Sequence, residues 1–190
     1  QVMSLKNMAK IDNNGVTFKS HLDGSLIRLT PKDSIDMQKA LDSTITMAFD
    51  ECTSYPATHD TASKSMELSM QWAKICRKEF LNREGYGLFG IVQGSTFNDL
   101  RSISSESLID IGFDGYAIGG LAVGEGHVEM IKTLQSSINY LPEKSPRYLM
   151  GVGYPRDIIE AVRLGVDMFD CVIPTRSGRT GKVFTKRGSL

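Results

Sequence analysis

One pattern repeats along the chain and constrains the fold more than anything else. A short apolar, β-branched run ends in glycine or a polar side chain, and a stretch of helical period follows it. The runs cover residues 45–49, 87–93, 114–120, 148–153 and 167–174. The stretches between them, 63–82, 96–111, 126–140 and 155–164, carry apolar residues three or four apart. Strands alternating with helices of this length predict βα units and a parallel sheet, because a parallel crossover needs about a dozen residues. An open doubly wound sheet and a barrel both fit. The punctuation favours the barrel, since Asp50-Glu51, Gln93-Gly94, Gly119-Gly120, residues 151–153 and Asp170 all fall at the C-terminal ends of runs, the rim where a (β/α)8 barrel builds chemistry. About five units are visible where a closed barrel needs eight, so the expected fold is an incomplete (β/α)8 TIM barrel with its first strands upstream of Gln1.

Ahead of these units, Gly15-Val16-Thr17-Phe18-Lys19-Ser20 and Ser25-Leu26-Ile27-Arg28-Leu29-Thr30 flank Asp23-Gly24 and read as an antiparallel hairpin. Thr30-Pro31 then starts a short helix running to Leu41, with threonine as cap and proline in the first turn. The expected organisation is one catalytic-barrel piece over 1–190, with the hairpin and short helix in 1–44 and the βα units in 45–190. A chain of 190 residues with 41% hydrophobic residues and no low-complexity tract is not disordered. No apolar run approaches the ~18 residues of a membrane span, and the opening residues have neither the basic nor the apolar region of a secretory leader.

Lys and Arg total 22 against 22 Asp and Glu, yet everything after Asp170 is basic or neutral: Arg176, Arg179, Lys182, Lys186 and Arg187. On charge alone this is a solvated tail or a polyanion contact. Cys52, Cys76 and Cys171 form no close pair, which argues against a disulfide framework and a self-contained zinc cluster; a reducing, cytoplasmic compartment is expected. His21, His59 and His127 are scattered, outside any metal-binding spacing.

At the predicted rim, Asp50 and Asp170 are carboxylates at the ends of apolar strands. Partial desolvation there suits a nucleophile or an acid-base group, and a capping or ion-paired loop carboxylate is the ordinary alternative. Gln93 joins them, and aspartate with glutamine can hydrogen-bond the edge of a flat heterocycle. The glycine-rich segment from Gly119 through Glu125 to Gly126 precedes a helix. It can cradle phosphate or let backbone approach a planar ligand, and it lacks the Walker lysine and dinucleotide spacings. Tyr148 and Met150 are, by residue type alone, ordinary core residues.

Taken together, Met47-Ala48-Phe49-Asp50-Glu51-Cys52 with Tyr55-Pro56-Ala57, Gly90-Ile91-Val92-Gln93-Gly94, Gly119-Gly120-Leu121-Ala122-Val123-Gly124-Glu125, Tyr148-Leu149-Met150-Gly151-Val152-Gly153 and Phe169-Asp170-Cys171-Val172-Ile173-Pro174-Thr175-Arg176 resemble bacterial tRNA-guanine transglycosylases, in order over nearly the whole chain. The opening Gln1-Val2-Met3-Ser4-Leu5 is similar to the segment after that family's Asp-Ser-Gly-Gly-aromatic motif.

The resemblance implies that Asp170 is the nucleophile that attacks the ribose of the wobble guanosine and holds the tRNA as a covalent glycosyl-aspartate. It implies that Asp50 and Gln93 read the base edge with the backbone of Gly120 and Leu121, that Glu125 supports that loop, and that Tyr148 and Met150 sandwich the ring. Arg176 and Arg179 would meet the tRNA anticodon loop. Cys52 and Val123 match the bacterial form of the family, which implies the aminomethyl-deazaguanine preQ1 as incoming base in queuosine biosynthesis. It further implies a cytoplasmic homodimer. No cofactor or metal site is expected in this chain, because the family's structural zinc belongs to a subdomain absent from it, and the acid/base aspartate lies upstream of Gln1; this piece alone is expected to be inactive. Ser54 stands where proline is more usual. Two other readings remain at this stage, a non-catalytic tRNA-binding partner subunit and an unrelated barrel enzyme that binds phosphate on the 119–126 loop.

Overall fold

The computed structural model describes residues 9–190, so the similarity at Gln1 to Leu5 lies outside the described residues. Three antiparallel strands come first: β1 (Ala9–Asp12), β2 (Gly15–Lys19) and β3 (Leu26–Leu29). The expected hairpin around Asp23-Gly24 is β2–β3, with Phe18 opposite Ile27. β1 was not foreseen. The tight turn between Asp12 and Gly15 pairs it with β2, and Lys10 opposite Thr17 shows how little apolar alternation marks it. Arg28 ties the two ends of this sheet by donating to both Asp12 oxygens, at 2.6 and 2.7 Å.

Helix α1 (Pro31–Ala40) starts as its sequence dictates. Thr30 accepts from the Asp33 N–H, Asp33 accepts from the Thr30 N–H, and Pro31 fills the first turn, where no backbone donor is needed.

The rest is a curled five-stranded parallel sheet in sequential order: β4 (Ile45–Met47), β5 (Gly87–Val92), β6 (Gly115–Ile118), β7 (Arg147–Leu149) and β8 (Met168–Phe169). Crossovers α2 (His59–Glu79), α3 (Asn98–Ile111), α4 (His127–Ile138) and α5 (Pro155–Arg163) link them. This is a partial TIM barrel, as the repeat pattern predicts. The central strands are buried on both faces, which is why 88–92 reads as an unbroken apolar run rather than an alternation. Helix α2 buries Ala62, Met66, Met70, Ala73 and Cys76 at helical spacing along one stripe. Trp72 is fully buried, stacks on Phe49 at 4.9 Å and donates its indole N–H to the Asn13 carbonyl, tying the N-terminal sheet to the barrel.

Two further elements follow β8. Helix α6 (Ile173–Arg179) begins where the sequence reading extended a strand to Pro174; proline in a first helical turn is compatible with helix, and that compatibility went unused. A small hairpin follows, β9 (Phe184–Thr185) with β10 (Gly188–Ser189). No described helix is long and apolar enough to cross a membrane.

Candidate active site

Because β4, β5 and β6 are parallel and adjacent, Asp50, Gln93 and Gly119-Gly120 leave the sheet at the same rim. Gln93 is almost fully buried. Its backbone N–H donates to Ser104 Oγ at 3.0 Å, and its side-chain Nε2 donates to Asp50 Oδ2 at 2.7 Å. Burial pushes the Asp50 carboxyl up to about 6, against the pull of the Gln93 hydrogen bond. The same burial, reinforced by Asp50, pushes the Cys52 thiol up to about 11, so it is a neutral wall.

Both backbone and space favour glycine at Gly120. Its φ is +67°, and a Cβ there would stand 2.8 Å from Gln93 Oε1. A Cβ on Gly119 would meet Gln93 Nε2 at the same distance, so the loop lies flat against the glutamine.

The loop's polarity is fixed from behind by a residue that the sequence reading missed. Arg101 on α3 is completely buried and donates to the carbonyls of Ser95 at 2.8 Å, Val92 at 3.3 Å and Gly119 at 2.8 Å. Burial lowers its pKa to about 10, so the guanidinium stays charged. In a planar trans peptide the C=O and N–H point opposite ways. With the Gly119 carbonyl drawn inward to Arg101, the Gly120 N–H is turned outward into the pocket. Glu125 does the converse one step on: its carboxylate accepts from the N–H groups of Ala122 at 2.5 Å and Val123 at 2.9 Å, which turns the Leu121 carbonyl the other way. Arg101 could have been suspected from its position, for it falls on the buried stripe of α3 with Ser104, Ser105 and Leu108.

The result is a pocket of about 120 Å³ walled by Asp50, Cys52, Gln93, Gly120, Leu121, Val123 and Met150, with Asp170 at its mouth. Asp170 arrives on β8. Its Oδ1 accepts from the Tyr148 hydroxyl at 2.7 Å and from the Gly151 N–H at 2.8 Å. Asp170 is exposed, and β8 is the last strand of the sheet among the described residues. Tyr148 reaches the site through its hydroxyl, and burial together with Asp170 raises its pKa. Arg176 and Arg179 stand outside the pocket, exposed and three residues apart on one face of α6.

The larger hollow, about 680 Å³ between β1, residues 51–54 and α2, adjoins this pocket at Cys52 and holds neither Asp50 nor Asp170. Among the described residues no group of three or more His, Cys, Asp or Glu is placed to hold a metal. Cys76 is buried and free, and its Sγ accepts the Phe49 N–H at 3.3 Å. Zinc therefore finds no ligand set among the described residues.

Over residues 1–190 the sequence matches the family model described as Queuine tRNA-ribosyltransferase. The chain belongs to this family. It is 62% identical over 190 residues to the queuine tRNA-ribosyltransferase of Granulibacter bethesdensis, covering 100% of this chain and 50% of that protein. Against those of Gluconacetobacter diazotrophicus and Rickettsia rickettsii (strain Sheila Smith) the identity is 57% over the same 190 residues, covering 49% and 53% of those proteins. The chain thus spans about half the length of the curated relatives it matches, and queuine tRNA-ribosyltransferase membership is what the motifs at this rim predict.

Proposed function

We propose that the full-length protein is a tRNA-guanine transglycosylase, exchanging the wobble guanine of tRNA for preQ1 through a covalent glycosyl-aspartate. The observation that carries the reading is the convergence, at one rim, of a base-sized polar slot with a tethered carboxylate at its mouth. Asp50 and Gln93 supply acceptors for the N–H donors of a guanine edge, and the outward Gly120 N–H faces its carbonyl oxygen. Met150 lies against the ring, and Tyr148 stands behind Asp170. Asp170 attacks the anomeric carbon as guanine leaves, and the incoming base displaces the aspartate in a second step, the two-step logic of retaining glycosidases. The Leu121 carbonyl, held outward by Glu125, accepts from the aminomethyl ammonium of preQ1. Cys52 and Val123 narrow the slot against the bulkier queuine. Arg176 and Arg179 contact the anticodon loop. Zinc ligands and the acid/base aspartate belong to the rest of the protein, and the working form is a cytoplasmic homodimer.

The test is incorporation of labelled bases into tRNA by the full-length protein. preQ1 is expected to outcompete queuine, and equal or better use of queuine overturns the assignment of incoming base. Incorporation of neither base overturns the reading and favours a tRNA-binding subunit without catalysis.

A second expectation concerns pH. Guanine needs the ionised Asp50 carboxylate, and burial holds that group near 6, above its ordinary value of 3.8. Affinity for free guanine should therefore be full at pH 7 and fall about tenfold by pH 5, since each unit below the pKa removes a further factor of about ten in ionised fraction. Calorimetric titration from pH 5 to 8 measures it. Asp50→Asn should bind weakly and with no such slope; a flat profile in the parent protein would show that Asp50 is not the acceptor.

A further inference from the structure

Among the described residues, the Glu125 carboxylate accepts only from its own loop, from the N–H groups of Ala122 and Val123. Gly126 follows it in the left-handed region, φ +79°, with open space where a side chain would stand, and it begins α4 without any side-chain cap. The first residue of α4 supplies a tether instead. His127 Nδ1 lies 2.7 Å from Asp157 Oδ1 and its Nε2 lies 3.3 Å from Glu160 Oε2, so whichever ring nitrogen carries a proton has a carboxylate to accept it. Both acids stand on one face of α5, three residues apart. Because they meet different ring nitrogens, the three side chains do not converge on a metal.

Helix α5 is a firm anchor for this clasp. Asp157 and Ala161 are buried, and the residues leading into the helix include buried Val152 and Gly151, whose N–H holds Asp170. The clasp therefore fastens the helix that starts two residues after Glu125 to the helix that follows the tether of the carboxylate. Arg101 already fixes the Gly119 carbonyl from behind, so the Gly119–Gly120 peptide does not need it. The part of the loop that depends on where α4 starts is the part Glu125 holds, which presents the Leu121 carbonyl.

We propose that His127 is a positioning residue for the choice of incoming base: by clasping the start of α4 to Asp157 and Glu160, it sets where Glu125 holds the Leu121 carbonyl, the acceptor for a base that carries a primary ammonium. The proposal rests on the transglycosylase reading above. The test is steady-state exchange into tRNA by the full-length protein, with labelled guanine and labelled preQ1 in turn. His127→Ala should raise KM for preQ1 about tenfold with kcat held, because a bond made by the ammonium alone is lost, and should leave KM for guanine within about twofold. His127→Asn places an amide N–H near the Nδ1 position, so it should bring KM for preQ1 back to within about threefold of the parent. His127→Ala combined with Asp157→Ala should cost no more than the larger single loss, as expected of two residues that act through one contact. KM values for both bases rising together, or a loss that His127→Asn does not restore, would make His127 a purely structural residue and overturn the proposal. A parent-like KM for preQ1 in His127→Ala overturns it as well. If the parent exchanges guanine but not preQ1, the proposal falls with the choice of incoming base while the transglycosylase reading stands. If the parent exchanges neither base, both fall.

Discussion

Asp170→Asn in the full-length protein is expected to abolish turnover. The amide keeps the shape of the carboxylate and accepts the Tyr148 and Gly151 hydrogen bonds through its oxygen, yet it has no charge with which to attack the anomeric carbon. Removing the group that divides one difficult displacement into two should lower kcat at least about ten-thousand-fold. The direct readout is a denaturation-resistant protein–RNA band formed with tRNA and a slowly reacting base analogue. The parent should give it and the variant should not. Persistence of the band in Asp170→Asn would assign the nucleophile elsewhere.

The second large effect is expected at Arg101. Arg101→Met fills similar volume but removes the donors to the carbonyls of Ser95 and Gly119, buried groups to which no other described residue directs a donor. Hydrogen bonds from a charged donor contribute about 1.5–3 kcal/mol each, so loss of these two should cost about 3–6 kcal/mol in urea unfolding of the full-length protein. Arg101→Lys should fall between, because a compact ammonium cannot span carbonyls on two separate loops. Guanine affinity should drop with it, as the Gly119–Gly120 peptide loses the bond that orients it. A loss below about 1 kcal/mol in Arg101→Met would show that the loop holds its shape unaided.

These two residues differ in how visible they are in the sequence. Asp170, Asp50 and Gln93 end apolar runs, and a parallel barrel brings all such ends to one rim, so period and punctuation suffice to gather them. Arg101 announces itself only as a cation on a buried helix stripe, and its partners are backbone carbonyls, which no side-chain pattern marks. The same division holds for the fold. The parallel units and the Asp-Gly hairpin follow from alternation and turn chemistry. Helix boundaries were less legible: α2 begins at His59, earlier than the apolar stripe suggests, because Thr58 caps it by accepting from the Thr61 N–H. β1, α6 and β9–β10 were missed, being short elements specified by tight turns and neighbouring contacts rather than by hydrophobic period.

The tether on Asp170 is one-sided. Both donors, the Tyr148 hydroxyl and the Gly151 N–H, reach Oδ1, and no described residue donates to Oδ2. In the proposed exchange this breaks the symmetry of the carboxylate. Oδ2 takes no donor from the described residues and is the oxygen we propose as the bonding atom, with Oδ1 as the carbonyl oxygen of the proposed glycosyl ester, its two donors kept. When the second base arrives, those donors are already aimed at the oxygen on which negative charge regrows, so the aspartate departs as readily as it attacked. In the proposed exchange, holding one oxygen would keep the covalent state shallow, as a site that ejects one base and admits another without an energy source requires.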